Sequence, residues 1–207
     1  RPVVEIEAPE LLAVLKRIEQ RTVDIAHRAK QAAGQIFRYA VATGRAQRDP
    51  SADLRGVLKS KHKQHHPAIT EPDDLGNLMV AIDGYSGGAV VRAALQITAL
   101  TFQRPGLVRA MEWEHVDLDE GIWSVPAESM QKTHKAGAGH RAHMVPLSNQ
   151  ARDILAELHR LTGRGRYVFP NGRGPSRCLS DNGMRVALRT MGFTKEQMTP
   201  HGFRAAA

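Results

Sequence analysis

The chain has 207 residues, 42% of them hydrophobic, and a formal net charge of +8 with a pI near 10.1. This length and composition allow one large domain or two small ones and exclude a disordered chain, and the charge favours a polyanionic partner over the alternative of a generally basic soluble protein. Cys178 is the only cysteine, no apolar run reaches the length of a membrane span, and no charged-then-apolar leader precedes the first helix, so we expect a cytoplasmic protein with no internal disulfide and no membrane partner.

Charge changes sign twice along the chain. Residues 1–66 hold 13 Lys and Arg against 7 Asp and Glu, residues 67–128 hold 3 against 10, and residues 129–207 hold 13 against 4. An acidic block between two basic blocks predicts two separate basic surfaces that could contact nucleic acid.

Two helices are predicted in the first basic block. Pro9 begins a short helix, and Thr22 caps a longer one for which Gly44 is the C′ residue. We predict an apolar stripe on the longer helix through Ile25 and Ile36, and a candidate DNA-binding stripe opposite it. An ordinary solvated face explains the polar stripe equally well. Its members are Arg28, Gln31, Gln35 and Arg38.

A polar, Lys- and His-rich run closed by Pro67 divides the chain. We interpret it as an interdomain linker, which gives domains at 1–66 and 67–207. Lys61 and Lys63 are candidate contacts to DNA phosphates in this run.

The second domain is predicted to be mostly helical with one small antiparallel sheet, so the whole chain is assigned to a mainly α, α+β class. A nearly uncharged helix is expected to be buried, and two short strands are expected to pair. The predicted elements are a helix capped by Thr70, a helix at 89–102, strands at 122–125 and 144–147, a helix capped by Ser148, an extended segment at 167–170 and a helix capped by Ser180.

Two arginines from distant parts of the chain are candidates for holding one phosphate. Phosphodiester exchange builds negative charge on the non-bridging oxygens, and a guanidinium binds two oxygens while staying charged. Arg104 follows the buried helix, and Arg204 shares a helical face with His201 after a Thr199-Pro200 helix start. The alternative for Arg104 is an arginine that caps the carbonyls of its own helix.

Leaving-group departure needs a proton donor, and a lysine on a β-hairpin can supply one. Lys132 is the first candidate and Lys135 the second, with Lys135 also a candidate DNA contact. A solvated basic loop is the alternative interpretation.

Arg104, Lys132 and the His201-Gly202-Phe203-Arg204 run occur in an order that resembles the tyrosine recombinase (phage integrase) family, in particular its prophage integrase branch. The segment "QIFRYAVATGRAQRDPSADLRG" is similar to the helical core-binding domain of that family. The segments "ALTFQRPGLVRAMEWEHVDLDEGIWSVPAE", "HMVPLS", "YVFP" and "MTPHGFR" are similar to its catalytic domain.

The resemblance implies a metal-free reaction without a cofactor, in which a tyrosine attacks the scissile phosphate and a 3′-phosphotyrosyl link forms. It implies that Arg104 and Arg204 stabilise the phosphate, that His201 assists proton transfer at the nucleophile and that Lys132 protonates the leaving oxygen. The implied partners are double-stranded DNA at attachment sites, other protomers in a synaptic tetramer, and DNA-bending or excision accessory proteins.

The sequence departs from the family pattern in two ways. Leu107 stands where the family has an acidic residue, so the orienting role of that carboxylate is absent, or Glu112 or Glu114 substitutes for it from a neighbouring position. The nucleophilic tyrosine of the family follows the His-x-x-Arg motif, and here all three tyrosines precede it and are interpreted as structural. We therefore expect a fragment that binds DNA without cleaving it.

Two alternatives remain open. One is a non-catalytic DNA-binding module on a recombinase fold. The other is a metal-dependent nuclease that uses two histidine groups, although solvated loops that contact DNA are the favoured interpretation and no metal site is expected. The groups are His62, His65 and His66, and His134, His140 and His143.

Overall fold

The computed structural model describes residues 1–60, 66–130 and 142–206. The chain divides into two compact units, Arg1–Gln64 and His65–Ala207. Within the described residues, every helix is too short or too polar to cross a membrane. Each unit is considered by itself below.

The first unit is built on two helices, α1 (Ala8–Glu19) and α2 (Val23–Ala42), which pack against each other. Thr22 is the N-cap residue of α2, as predicted, and Gly44 lies beyond its C-terminus at a φ of 69°, a conformation that glycine adopts without strain. Short 3-10 turns lie at Val3–Glu5 and Ala52–Leu54. The small core comprises Leu15, Ala26, Leu54 and Leu58.

The predicted apolar stripe of α2 is wrong at its two isoleucines, although Ala40 in the stripe and Phe37 beside it are buried. Ile25 and Ile36 are 55% and 61% exposed. The face that packs inward is displaced by roughly a quarter turn, because small residues and one large aromatic allow a closer approach than a stripe of isoleucines. The buried residues of α2 are Ala26, Gly34, Phe37 and Ala40.

The segment that follows the 3-10 turn Ala52–Leu54 is hydrogen-bonded to α1 through the buried carboxylate of Glu19 and the ammonium of Lys16. Glu19 accepts the backbone N–H of Lys59 at 2.6 Å and the ammonium of Lys16 at 2.9 Å, and Lys16 also donates to the Val57 carbonyl at 2.9 Å. The Lys16 bond, and then the Lys59 backbone bond, hold the pKa of Glu19 below its ordinary value.

The second unit surrounds α4, the nearly uncharged helix that the sequence predicts to be buried. Seven of its thirteen residues are buried, and α4 packs against α3, α5, α7 and α8. The helices of this unit are α3 (Pro72–Asp83), α4 (Ala89–Thr101), α5 (Pro105–Arg109), α6 (Ala127–Met130), α7 (Asn149–Thr162) and α8 (Gly183–Thr190). Short 3-10 helices lie at Trp113–His115 and Pro200–Arg204.

The predicted pairing of two strands is confirmed, and a third strand joins them. An antiparallel sheet has the order β1 (Val116–Asp117), β2 (Ile122–Val125) and β3 (His143–Pro146). Trp123 pairs with Val145, and both side chains are buried in the core. A second antiparallel pair, β4 (Pro170–Asn171) with β5 (Gly174–Cys178), was not predicted.

Of the caps predicted for α3, α7 and α8, that of α7 is confirmed and the other two are wrong. Ser148 begins α7 by accepting the N–H of Ala151 at 3.2 Å. The N-cap of α3 is Glu71 rather than Thr70, because Pro72 takes the first helical position. The N-cap of α8 is Asn182 rather than Ser180.

Candidate active site

His201 and Arg204 lie on one short 3-10 helix, Pro200–Arg204. Thr199 is its N-cap residue in an extended conformation, and Pro200 supplies the first position, as the sequence predicts. Phe203 points into the core and is only 1% exposed, whereas His201 and Arg204 are exposed. The buried phenyl ring therefore anchors the helix while the two polar side chains remain accessible.

The start of this helix is held by the peptide that opens the second unit. The Pro67 carbonyl accepts both the backbone N–H of Thr199, at 3.2 Å, and its hydroxyl, at 3.3 Å. Gly202 faces the same peptide so closely that a Cβ there would overlap the Pro67 carbonyl oxygen and lie 3.0 Å from the Ala68 Cα. The glycine is thus required by close backbone approach.

Arg104 lies between α4 and α5. Phe102 ends α4 in the left-handed region with a φ of 52°, and Arg104 is the N-cap residue of α5. Its carbonyl accepts the N–H groups of Leu107 and Val108. Arg104 as a residue is partly buried, and in the described part of the chain its guanidinium has no hydrogen bond or ion pair, so it does not cap the α4 carbonyls.

Packing brings these two segments together. α4 contacts both α5 and the 3-10 helix Pro200–Arg204, and the residues that follow Arg104 line a cleft together with His201, although Arg104 and Arg204 themselves do not line it. An open cleft of about 530 Å³ lies beside them. It is lined by His66, Pro105, Gly106, Arg109, Asp181, Met184, Arg185, Thr199, Pro200 and His201.

Arg109 supports one wall of the cleft. It donates to the Leu179 carbonyl at 3.1 Å, and its Nε lies 2.7 Å from an Asp181 oxygen. Although that distance is short, the angle does not suit an N–H···O bond, so the contact is an ion pair without a hydrogen bond at Nε. The carboxylate partly offsets the positive charge of the cleft.

The His201 imidazole stacks on His66. The two ring centroids are 4.6 Å apart and the ring planes differ by 20°. Partial burial, then the neighbouring His66 ring and the Arg204 guanidinium, lower the pKa of His201 below its ordinary value. A neutral His201 is therefore favoured near neutral pH, which suits a group that accepts a proton.

Two family models match the chain. Residues 1–57 match the phage integrase central domain, and residues 69–207 match the phage integrase family. The chain belongs to the phage integrase family. The resemblance inferred from the sequence, including the prophage branch, is confirmed.

Relatives and solved structures agree with this membership. The chain is 32% identical to the protein IntB of Escherichia coli strain K12, covering 100% of this chain and 54% of that protein. It is 29% identical to the integrase of Enterobacteria phage P4, covering 98% and 48%. The chain thus spans about half the length of these relatives.

Two structures of DNA-bound integrases share the fold. The Tn1549 transposon integrase in complex with circular intermediate DNA superposes with a TM-score of 0.74 at 10% identity, over 100% of this chain and 72% of that one. A lambda integrase tetramer bound to a Holliday junction gives 0.69 at 21% identity, over 98% and 59%. The predicted α+β fold class is therefore confirmed.

The remaining candidate residues of this integrase-family chain divide into two groups. The four members of the α2 stripe are all exposed, and two of them already have acidic neighbours, since Arg28 Nε lies 2.8 Å from Asp24 and Arg38 lies 3.5 Å from Asp49. The four lysines fall outside the described residues. They are Lys61, Lys63, Lys132 and Lys135.

Glu112 is not positioned to replace the acidic residue that the family has at the position of Leu107. Its carboxylate binds Arg166 Nε at 2.8 Å, a bond that lowers the pKa of Glu112. Together with Glu114 and His115, it forms a group whose possible ligand atoms lie within 4.8 Å of one another. The Glu112 carboxylate is therefore already paired with Arg166. Neither glutamate lines the cleft.

Sequence reasoning missed three charged residues of the cleft and misjudged a fourth. Arg109, Asp181 and Arg185 had no motif to mark them, because they become neighbours only when α5 and α8 meet in the fold. His66 was grouped with the histidines of the linker, yet it belongs to the second unit and contacts His201. Its position immediately before Pro67 was the available signal.

Proposed function

We propose that this chain carries the DNA-binding and phosphate-activating parts of a site-specific tyrosine recombinase that integrates or excises a mobile element. The observation that carries the proposal is the packing of α4 against both α5 and the 3-10 helix Pro200–Arg204. This packing brings the segment after Arg104 to the helix that holds His201 and Arg204. Family membership supports the same reaction class.

The proposed roles follow from charge and position. Arg104 and Arg204 stabilise the charge that develops on the scissile phosphate, since neither guanidinium has a protein acceptor among the described residues. His201 takes the proton of an attacking tyrosine, because its lowered pKa keeps the imidazole neutral. Lys132 protonates the leaving 5′ oxygen, with Lys135 as the other candidate.

The proposed partners are duplex DNA and further protomers. DNA phosphates would contact the α2 stripe, Lys61, Lys63 and Lys135, because basic side chains there can replace counterions. Synapsis of two attachment sites in a tetramer is proposed by analogy with the lambda integrase tetramer on a Holliday junction. DNA-bending or excision accessory proteins complete the proposed assembly.

The decisive experiment uses the whole protein and duplexes that carry the junctions of its mobile element, each with a nick near the centre. We expect a covalent protein–DNA adduct through a 3′-phosphotyrosine that forms equally well with a chelator present. Cleavage that the chelator stops would instead favour the metal-dependent nuclease. Specific binding without any adduct would favour the non-catalytic DNA-binding module.

A further inference from the structure

His66 makes a specific contact that the proposed roles do not use. Its ring lies nearly parallel to the His201 ring, at 20° and 4.6 Å between centroids. Both side chains border the same cleft. An exposed histidine has no requirement to stack on another ring, so the backbone around His66 must account for the geometry.

The backbone next to His66 is fixed to the backbone next to His201. Pro67, which follows His66, accepts two hydrogen bonds from Thr199, two residues before His201. On the other side of His201, Gly202 lies directly against Pro67 and Ala68. These two contacts, one on each side of His201 and both directly after His66, therefore determine where the two rings meet.

We propose that His66 is a positioning residue for His201: it holds the His201 imidazole in one orientation and opposes its protonation. The inference rests on the proposed role of His201 as the group that takes the proton of the nucleophile. Stacking restricts ring rotation, and a second imidazole at this distance makes a positive charge on His201 less favourable.

The other charges around His201 set the direction of the effect. Arg204 on the same helix also lowers the pKa of His201, and the other charged groups that line the cleft are Arg109 on α5, Arg185 on α8 and Asp181. Asp181 is paired with Arg109 at 2.7 Å, so its influence is largely offset. Loss of His66 therefore raises the pKa of His201, because burial and repulsion both decrease.

Two substitutions in the whole protein separate the two parts of the role. His66→Ala removes the ring, and His66→Phe keeps a stacking ring that never carries charge. The matched control is His159→Ala, which removes an imidazole that contacts Trp113 edge-on at 4.7 Å and does not line the cleft. The rate of covalent adduct formation is measured against pH for all three variants.

We expect His66→Ala to lower the plateau rate by about threefold to tenfold, which is less than the loss expected when a general base itself is removed. The rising limb of the pH profile should move to higher pH. His66→Phe should retain the plateau to within about twofold while its rising limb also moves to higher pH. His159→Ala should match the unsubstituted protein. A wild-type plateau and limb in His66→Ala, or an equal loss of plateau in His66→Phe, would overturn the proposal.

A second measurement does not depend on catalysis. The titration of His201 is followed by NMR in the histidine-labelled whole protein, with His201→Gln used to assign the signal. We expect the midpoint to rise in His66→Ala, and an unchanged midpoint would overturn the inference. If the unsubstituted protein forms no adduct at any pH, the proposed function fails, and the NMR result still decides whether His66 acts on His201.

Discussion

At the scale of single residues, the second unit uses its arginines in two ways. Three arginines bind acceptors of the protein. Arg109 donates to the Leu179 carbonyl and Arg189 to the Met198 carbonyl. Arg166 pairs with the Glu112 carboxylate. Arg104 and Arg204 have no such partner in the described ranges. Both guanidinium groups are therefore free to bind a phosphate.

Replacement of Arg204 or Arg104 by Ala in the whole protein should abolish strand cleavage and leave DNA binding nearly intact. Binding uses many phosphate contacts, whereas the transition state depends on a few donors at one phosphate, and loss of one such donor costs about a hundredfold to a thousandfold in rate. Cleavage is measured by adduct yield and binding by gel shift. Arg160→Ala, which removes the same charge from the exposed end of α7, should cleave normally. A parallel loss of binding and cleavage would contradict the assignment.

Gly202→Ala should destabilise the second unit. The added Cβ would overlap the Pro67 carbonyl oxygen, and overpacking of this kind costs about 1–3 kcal/mol. Thermal or denaturant unfolding measures the effect. Gly106→Ala is the matched control, because a Cβ there would meet nothing within 4 Å. Equal stability of the two variants would show that the Pro67 peptide can move away from the helix.

At the scale of elements, α2 presents its polar stripe on the side opposite its buried residues. The stripe was predicted correctly as an exposed face even though the apolar stripe used to orient it was wrong. Ile25 and Ile36 lie at the border between the two faces, where large aliphatic side chains remain in part accessible.

Double replacement of Arg28 and Arg38 by Ala should weaken DNA binding without lowering thermal stability. Both side chains are exposed, and the ion pairs that they make with Asp24 and Asp49 contribute little to folding. Gel shifts and thermal melts give the two quantities. The control, a double Ala variant at Arg17 and Arg21, removes the same charge from exposed positions outside the stripe. Unchanged DNA affinity in the first variant would remove the stripe from the interface.

Glu19→Gln should lower the melting temperature of the first unit by a few degrees at neutral pH, because it weakens bonds that join α1 to Val57 and Lys59. The folded pKa of Glu19 lies below its ordinary value, so the stabilisation is present above the unfolded pKa of about 4.3 and is lost as the pH falls below it. Melting curves from neutral to acid pH should therefore converge. The exposed Glu5→Gln serves as control, and a difference that persists in acid would contradict this account.

At the scale of the whole molecule, sequence reasoning succeeded where local signals agree with tertiary packing. The nearly uncharged run of α4, the strand pair β2–β3 and the serine cap of α7 each combine a local preference with burial. It failed for the β4–β5 pair, because these polar strands do not alternate apolar and polar residues. It also failed for the cleft, because the residues that line it come from helices far apart in the sequence. Long-range neighbours such as Arg109 and Asp181 leave no spacing rule in the sequence.

The distribution of charge predicts how the affinity of the chain for DNA depends on salt. Basic blocks flank an acidic one, so binding should depend on release of counterions from phosphates. We expect the affinity for duplex DNA to fall by at least about tenfold between roughly 50 and 200 mM salt, with a linear log–log dependence. Fluorescence anisotropy across a salt series measures it, with potassium glutamate in place of chloride as a check on anion effects. Affinity that does not change with salt would count against a phosphate-based interface.

The bond between Pro67 and Thr199 joins residues 132 positions apart. During synthesis, the chain elongates at about 5–20 residues per second. Thr199 is therefore synthesised on the order of ten seconds after Pro67. Contacts of such high sequence separation form slowly, since loop closure precedes any gain from the contact. The helices around α4 therefore have time to assemble first. The cleft beside His201 forms only after Thr199 and the helix that follows it have emerged from the ribosome.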